Sequence, residues 1–400
     1  ATKEDSLLAY NSENGNFKPL PFDFTRASSA TVVNKAGLIE TVGGGEPRID
    51  FSNDSKGALL LEPQRMNLVT YSNNFDGTNM INSAIITEFN TTETLSPEGI
   101  NNASKLTANS AFQRYSFFPT VGDNVDVSCS VFAKKGSASI FSTLIIDKSG
   151  QLISTKFDLL NGVIVEGGGS IEDYGNGWYK CSFSGSTSSG ATALQIRPFS
   201  HGSGFENGWT GSNYIYGFGA QLEQGSYATS YIPNFGNSAG ATRSADVCNN
   251  AGNNQVINST EGVLYYETSA LSNDIGSTRI LSISNGSSQN SLYTGYNSSS
   301  NVIQAQLVVG GAAQTNMLYT VSDRTNFIKV AILYQNNNHK MYVNGVQVLV
   351  DTSGSVPSAN TFDRLNFDLG QGSFDFYGNV KDLRVYNTAL TDSELQALTK

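Results

Sequence analysis

Charged residues make up only 14% of this 400-residue chain, against about 25% in an ordinary soluble domain. The shortage falls hardest on cations: 24 Lys and Arg stand against 34 Asp and Glu, for a formal net charge of -10. No basic block occurs anywhere. Binding to a phosphate backbone needs clustered cations that displace counterions, so nucleic acid is not an expected partner. Histidine is scarcer still, with only His201 and His339. Neither lies in a nucleophile-elbow context, so Ser–His or Cys–His catalysis is not expected. His339 is expected in a loop or at a strand edge, and His201 in a solvated loop. Three cysteines are too few for a disulfide framework, and with the two histidines they form no zinc-ligand spacing. Cys129 in VDVSCSVF and Cys181 in WYKCSFSG fall on the apolar side of alternating strands, which predicts buried free thiols, a bridge between them being the alternative. Cys248 follows a strand end in a polar linker with no obvious mate. Long apolar runs are missing too: stretches such as Val330 to Tyr334 fall far short of the roughly 20 residues that span a bilayer. A soluble chain with no membrane partner is expected. The opening ATKEDSLLAY shows no secretory signal, and Ala1 fits removal of an initiator Met.

What the chain has in abundance is Gly, Asn, Ser and Thr, the composition of short strands joined by polar turns. Its length suggests two or three domains. Residues 1–70, broken by Pro19, Pro21, Pro47 and Pro63 and by the Gly43–Gly45 loop, read as an irregular N-terminal attachment segment. The run RASSAT and then NKAGLIETV reads as a short hairpin lying along a partner or neighbouring subunit. Over residues 71–247, period-2 alternation predicts half-buried antiparallel strands, as in VDVSCSVFAK and WYKCSFSG. Asn161-Gly162 is read as a type I′ hairpin turn, because both residues tolerate positive φ. The polar stretch Asn249 to Thr260 reads as an inter-domain linker. Residues 258–400 then supply a second set of strands, with Asn344-Gly345 the strongest hairpin signal. The chain closes on a short helix, where Thr391 and Glu394 form a capping box and Leu390 and Leu395 a hydrophobic staple. The expected fold is all-β: two tandem antiparallel β-sandwiches, or jelly rolls, after an irregular segment and before a short C-terminal helix.

Two stretches carry a resemblance to known families. LLLEPQRMNLVTYS at Leu59 to Ser72, paired with GAQLEQGSYATSYIPN at Gly219 to Asn234 and TRSADV at Thr242 to Val247, resembles a signature of tailed-phage head-fibre and tail-fibre proteins. It spans roughly residues 22 to 247 and implies a carbohydrate-binding-like jelly roll. The ending GNVKDLRVYNTALTDSELQAL resembles the close of laminin-G-like or concanavalin-type lectin domains. Together these imply a bacteriophage virion fibre or spike subunit, made in the host cytoplasm, that adsorbs to host-surface or mucus glycans. The N-terminal segment would contact other virion proteins, capsid or tail, and a homo-oligomer, with a trimer favoured, would supply multivalency. The alternatives are a capsid decoration protein without sugar binding and a capsule-degrading enzyme. In the closing signature, Glu62, Arg65, Glu223 and Arg243 are read as a buried ion pair fixing the junction, an architectural role.

A sugar site presents an aromatic ring to the apolar face of a pyranose, with amide or charged groups on its hydroxyls. Trp209 in GFENGWTGSNY, flanked by Asn207 and Asn213, is the leading candidate, its alternative role being a plug at one end of the first sandwich. Tyr293 and Tyr296, with Arg279 on a nearby strand, are the second and weaker set; Tyr293 alternates with apolar neighbours, so its alternative place is in the core. Trp178 is read as packing. Glycoside cleavage needs two carboxylates about 5–10 Å apart. Asp375 and Asp382 are too far separated along the chain, and Glu172 and Asp173 point to opposite sides, so no enzyme is expected. No cofactor is expected either, calcium at loop carboxylates such as Asp274 and Asp323 being the one alternative weighed.

Overall fold

The computed structural model describes residues 6–11, 16–52, 54–73, 75, 80–83, 85–109, 114–117, 121–147, 152–187, 191–197 and 211–400. The regular structure of the described chain is nearly all antiparallel strand, with one short helix at Asp392–Thr399. Two β-sandwiches follow one another. In the first, a six-stranded sheet runs in the order Ile85–Glu88, Ser104–Ala108, Tyr214–Gln224, Asp126–Lys135, Trp178–Ser186, Ser170–Asp173. It packs on a second six-stranded sheet centred on Ile140–Asp147 and Ala191–Arg197. Val127, Cys129, Val131 and Leu222 of one sheet meet Phe141, Ile145 and Phe157 of the other in a continuous apolar core.

The central strands of the first sheet are not half-buried, as alternation alone predicts. Seven consecutive residues of Asp126–Lys135 are buried, because the outer face is covered as well. There Phe132, Trp178, Phe218 and Tyr231 pack with Ile39 from the N-terminal segment. Trp178 is 1% exposed and donates its indole N–H to the Leu95 carbonyl at 2.8 Å, the packing role read from sequence.

The second sandwich holds a seven-stranded sheet in the order Val346–Asp351, Asn338–Val343, Ile328–Gln335, Glu261–Ala270, Gly378–Tyr386, Ala58–Leu61, Arg48–Asp50. Its partner is a five-stranded sheet: Ala312–Thr320, Val302–Val309, Ser291–Tyr296, Arg279–Ser284, Arg364–Asn366. The helix Asp392–Thr399 opens with the predicted capping box, and Leu390 and Leu395 pack with Tyr265, Leu333 and Tyr342 on the outer face of the larger sheet.

Two strands of that larger sheet come from the segment expected to be an irregular attachment arm. Leu59 and Leu61 enter the second core, together with Phe22, while Ile39 of the hairpin Ala30–Val33/Ile39–Val42 covers the first sandwich. Residues 22–67 thus clasp both sandwiches of their own chain. Burial of four successive residues in ALLL is the physical reason, since such a strand is stable only when both faces are covered. The expected linker is also built in: Ala251 and Ile257 are core residues, and Ala251 bridges Leu365.

The two hairpin expectations fare differently. Asn344-Gly345 has φ of 47° and 82°, a type I′ turn. Around Asn161-Gly162 the strands are present, but Asp158 pairs with Val163 across a four-residue loop in which Gly162 alone has positive φ. The Asp158 carboxylate takes the Leu160 N–H at 2.8 Å and closes that loop instead. His339 is not a loop or edge residue but a fully buried one inside Asn338–Val343, and burial lowers its pKa.

All three cysteines are free and buried. Cys248 lies in the second core, in a short strand Val247–Asn249 paired with Asp23–Thr25, not in an open linker. Burial pushes all three thiols well above the ordinary cysteine range. A thiol reagent such as dithionitrobenzoate is therefore expected to titrate none of the three in the native protein and all three in guanidinium. Fast native reaction of one thiol would contradict this packing.

Between the sandwiches lies a buried charged cluster of Glu62, Arg243 and Asp246 with Arg26 and Arg48. Glu62 of LEPQR pairs with Arg243 of TRSADV at 2.8 Å and with Arg48 at 2.7 Å. Arg48 reaches Asp246, which pairs with Arg26 at 3.0 Å. Burial alone would push the Glu62 carboxyl up. The Arg243 and Arg48 guanidiniums and the Ser230 donors overcome that and hold it well below the usual carboxylate range. Of the four residues expected there, Glu62 and Arg243 form the ion pair. Glu223 accepts the Thr229 N–H at 2.9 Å instead, and Arg65 lies 5.3 Å over the Tyr227 ring.

Candidate functional site: a tyrosine and amide face

Strand alternation divides the predicted aromatic pair. On Ser291–Tyr296, Leu292 and Tyr296 enter the core, so Tyr293, three residues from Tyr296, points out of the opposite face. Tyr296 is 1% exposed, stacks on Phe376 at 5.9 Å and bonds Thr268 Oγ1 at 3.0 Å. It is a core residue and cannot meet a ligand. Arg279 is 3% exposed; it pairs with Asp274 at 2.6 Å and lies 5.7 Å over the Tyr227 ring that Arg65 also meets. Its charge is spent tying the two sandwiches together. Trp209 and Asn207 lie outside the described residues, as does His201. Asn213 is half-buried at the entry to Tyr214–Gln224, and its carbonyl takes the Ala108 N–H at 2.8 Å.

Tyr293 remains half-exposed on the outer face of the five-stranded sheet. Register places Gln306 and then Asn316 beside it on the next two strands. The neighbouring row carries Gly295, Gln304 and Leu318. The Tyr293 hydroxyl donates to Gln306 Oε1 and accepts from Gln304 Nε2 at 3.5 Å. Asn297 Nδ2 in turn donates to Gln304 Oε1 at 2.6 Å. Burial raises the Tyr293 phenol pKa, so the hydroxyl stays neutral and able to both donate and accept. The Asn316 amide is exposed and has no hydrogen-bond partner among the described residues. Gly295 has φ +144°, and a Cβ there would come 2.2 Å from the Arg279 carbonyl oxygen. Only glycine fits, and it leaves a shallow floor beside the Tyr293 ring. Beyond Asn316 and Leu318 a groove of about 520 Å³ opens along the sheet edge toward Leu349, Val350 and Asp351.

This face offers a ring edge, several amides and no carboxylate among Tyr293, Asn297, Gln304, Gln306 and Asn316. The chemistry of these five side chains is stacking and hydrogen bonding to neutral hydroxyls; they do not include the carboxylate pair that ordinary glycoside cleavage uses. Sequence reading reached Tyr293 but missed Gln304, Gln306 and Asn316, because strand register, not spacing along the chain, brings them together. Asp274, one of the two carboxylates weighed for calcium, is an ion-pair partner of Arg279 and lies 3.9 Å from Arg324. Asp323 accepts the Thr325 N–H at 2.9 Å and Asn273 Nδ2 at 3.1 Å. Among the described residues no group of three or more His, Cys, Asp or Glu side chains is placed to hold a metal, and no helix is long and apolar enough to cross a membrane.

No curated protein matches the sequence. Among solved structures, the carbohydrate-binding module CBM40 of the Ruminococcus gnavus IT-sialidase bound to α2,3-sialyllactose is 16% identical, with a TM-score of 0.32, covering 38% of this chain and 94% of that one. Domain 4 of the extracellular arabinanase AbnA from Geobacillus stearothermophilus, in complex with arabinotriose, is 13% identical, with a TM-score of 0.31 over 39% and 73% of the two chains. Mouse laminin α1 domains LG4-5 are 9% identical, with a TM-score of 0.25 over 71% and 88%. Residues 270–396 match the family model of the concanavalin A-like lectin/glucanases superfamily, which makes this stretch a laminin-G/concanavalin A-like lectin domain.

Proposed function

We propose that the chain is a glycan-binding fibre or spike subunit of a tailed-phage virion, made in the host cytoplasm and adsorbing to host-surface or mucus sugars. The observation that carries the sugar-binding part is the tyrosine and amide face on a lectin-like sandwich. The virion part rests on the resemblance of the LEPQR and QLEQG segments, of which Glu62 is spent on the buried junction cluster. Two sandwiches clasped by one N-terminal segment suit presentation of a binding face away from a particle surface. Single sugar sites bind weakly, so several copies, as in a trimer, would raise avidity by about 10²–10⁴ without new contacts.

The test is a glycan array displaying the wild type, Tyr293→Ala, Gln304→Ala and Trp209→Ala at equal density. Loss of one stacking ring with its hydroxyl is worth about 1–1.5 kcal/mol, so Tyr293→Ala is expected to weaken binding about tenfold, with thermal unfolding unchanged within a few degrees. Binding that survives Tyr293→Ala but fails in Trp209→Ala would move the site to the first sandwich. A wild type that binds no sugar under multivalent display would leave a capsid decoration protein as the better account.

A further inference from the structure

One aromatic ring in the second sandwich, Phe374, stands in solvent on a loop fixed by hydrogen bonds. Phe374 is 53% exposed and has φ +58°, a left-handed conformation that a bulky side chain rarely adopts. Strain of this kind persists only where the surroundings over-determine it, and here they do. The buried Asp368 carboxylate accepts the Gly370 and Gly372 N–H groups and the Asn249 amide. Leu369 N–H bonds the Ser373 carbonyl at 2.9 Å, Ile280 N–H bonds the Phe374 carbonyl at 3.0 Å, and Phe376 N–H bonds the Phe367 carbonyl at 2.8 Å. Phe367 and Phe376 on either side are core residues with rings 5.7 Å apart. The loop is therefore pinned at both ends and at its middle, yet its central ring does not pack into the core.

The next residue gives the ring a chemical context. Asp375 bridges Ile280, which pairs with Gly295, which pairs with Gln304. Asp375 thus ends the row of the outer face that carries Gln304. It alternates with the core residue Phe376, and its Oδ2 lies 3.2 Å from the Tyr377 hydroxyl. No cation pairs with it among the described residues. An exposed ring whose next residue along the chain is a carboxylate with no cation partner offers the two groups a pyranose needs: an apolar surface for its C–H face and an acceptor for its hydroxyls. A docking surface for a protein would instead call for a broader apolar patch.

We propose that Phe374 and Asp375 form a second saccharide platform, at the opposite end of the five-stranded sheet from Asn316, taking a neutral hexose unit. This deepens the glycan-binding reading and rests on it. One ligand long enough to reach both platforms would be an oligosaccharide lying across the strands.

The experiment uses the full chain and a panel of polyacrylamide neoglycoconjugates bearing glucose, galactose, N-acetylglucosamine or rhamnose, with Phe374→Ala, Phe374→Gly, Phe374→Tyr, Asp375→Asn and Tyr293→Ala measured beside the wild type. Phe374→Ala and Asp375→Asn are each expected to lower binding to the recognised conjugate about tenfold, and Phe374→Tyr to keep it. Phe374→Gly is expected to lose binding yet melt at or above the wild-type temperature, because glycine relieves the positive φ. Wild-type binding that Tyr293→Ala reduces and Phe374→Ala leaves unchanged would overturn the platform alone. A Phe374→Gly protein that melts well below wild type would show the ring to be structural and would overturn the platform equally. Absence of any wild-type binding would overturn this platform together with the glycan-binding reading.

Discussion

Replacing Glu62 by Gln is expected to cost the folded chain about 3–5 kcal/mol, the usual penalty for removing one member of a buried ion pair and stranding the others. Glu62 is 2% exposed and sits between Arg243 and Arg48, both at 1% exposure or less. Without its charge two guanidiniums stay desolvated with only Asp246 to share, and Asp246 already serves Arg26. Arg243→Lys is no conservative change here, because Arg243 reaches Ser230 at 2.9 Å through one terminal nitrogen and the Pro63 carbonyl at 2.6 Å through the other. An ammonium cannot span both directions. Urea unfolding followed by tryptophan fluorescence measures the loss. The pH dependence has a definite sign: the Glu62 carboxyl is depressed in the folded state, so its contribution is full above its ordinary value of 4.5 and is lost as pH falls below that. Wild-type stability should therefore drop on acidification in this window, and the Glu62→Gln variant should lose less over the same interval. Equal urea midpoints for the two proteins at pH 7 would mean the cluster does not hold the junction.

A fragment of residues 249–400 is expected to be insoluble, although it contains the whole stretch that matches the lectin-like family. It lacks Ala58–Leu61, which pairs with Gly378–Val380, and Arg48–Asp50 beyond it. It also lacks Phe22, Leu59 and Leu61, all buried in the second core. At about 1.5–3 kcal/mol for each large apolar side chain, the loss is roughly 5–9 kcal/mol, comparable to the whole stability of a domain. The strand Gly378–Tyr386 would also present an unpaired edge, an invitation to aggregation. Within the full chain Leu61→Asp should have a similar effect on the second sandwich while sparing the first. Solubility on expression and a cooperative melt are the measurements. A fragment that is soluble and melts sharply would show that residues 22–67 decorate the second sandwich without completing it.

Both expectations turn on how much of a β-rich fold local sequence can specify. Alternation, turn chemistry and the capping box placed most strands, the Asn344-Gly345 hairpin and the final helix, because each depends on neighbours within a few residues. The second-sandwich strand Ala312–Thr320 is not evident from local pattern, since AAQTNMLYT carries few β-branched or alternating apolar residues. Its pairing with Val302–Val309 across Gly310-Gly311 makes it a strand. The irregular reading of residues 1–70 followed from four prolines and a triple glycine. ALLL gave no hint of which core it enters, because its partner strand, Gly378–Tyr386, lies at the far end of the chain.

For the candidate site the same division holds. Tyr293 was legible only as a candidate, since its alternation with apolar neighbours reads equally as core; the three-residue step to Tyr296 in one strand turns the two rings to opposite faces. Arg279 was misplaced because its partners, Asp274 and Tyr227, come from both sides of the domain junction. Gln304, Gln306 and Asn316 carry no signal by themselves, and Phe374 reads as one more aromatic until its backbone conformation is known.

By itself the sequence determined an all-strand chain of two sandwiches, inward-facing Cys129 and Cys181, a charged junction near Glu62 and Arg243, and a chemistry poor in histidine and cation clusters. Those follow from composition and from local periodicity. Only the tertiary structure decided that the N-terminal segment completes both sandwiches, which aromatic rings reach solvent, and which amides and carboxylates share a face with them. Sheet register sets these relations, and register is fixed by packing between residues far apart in the chain.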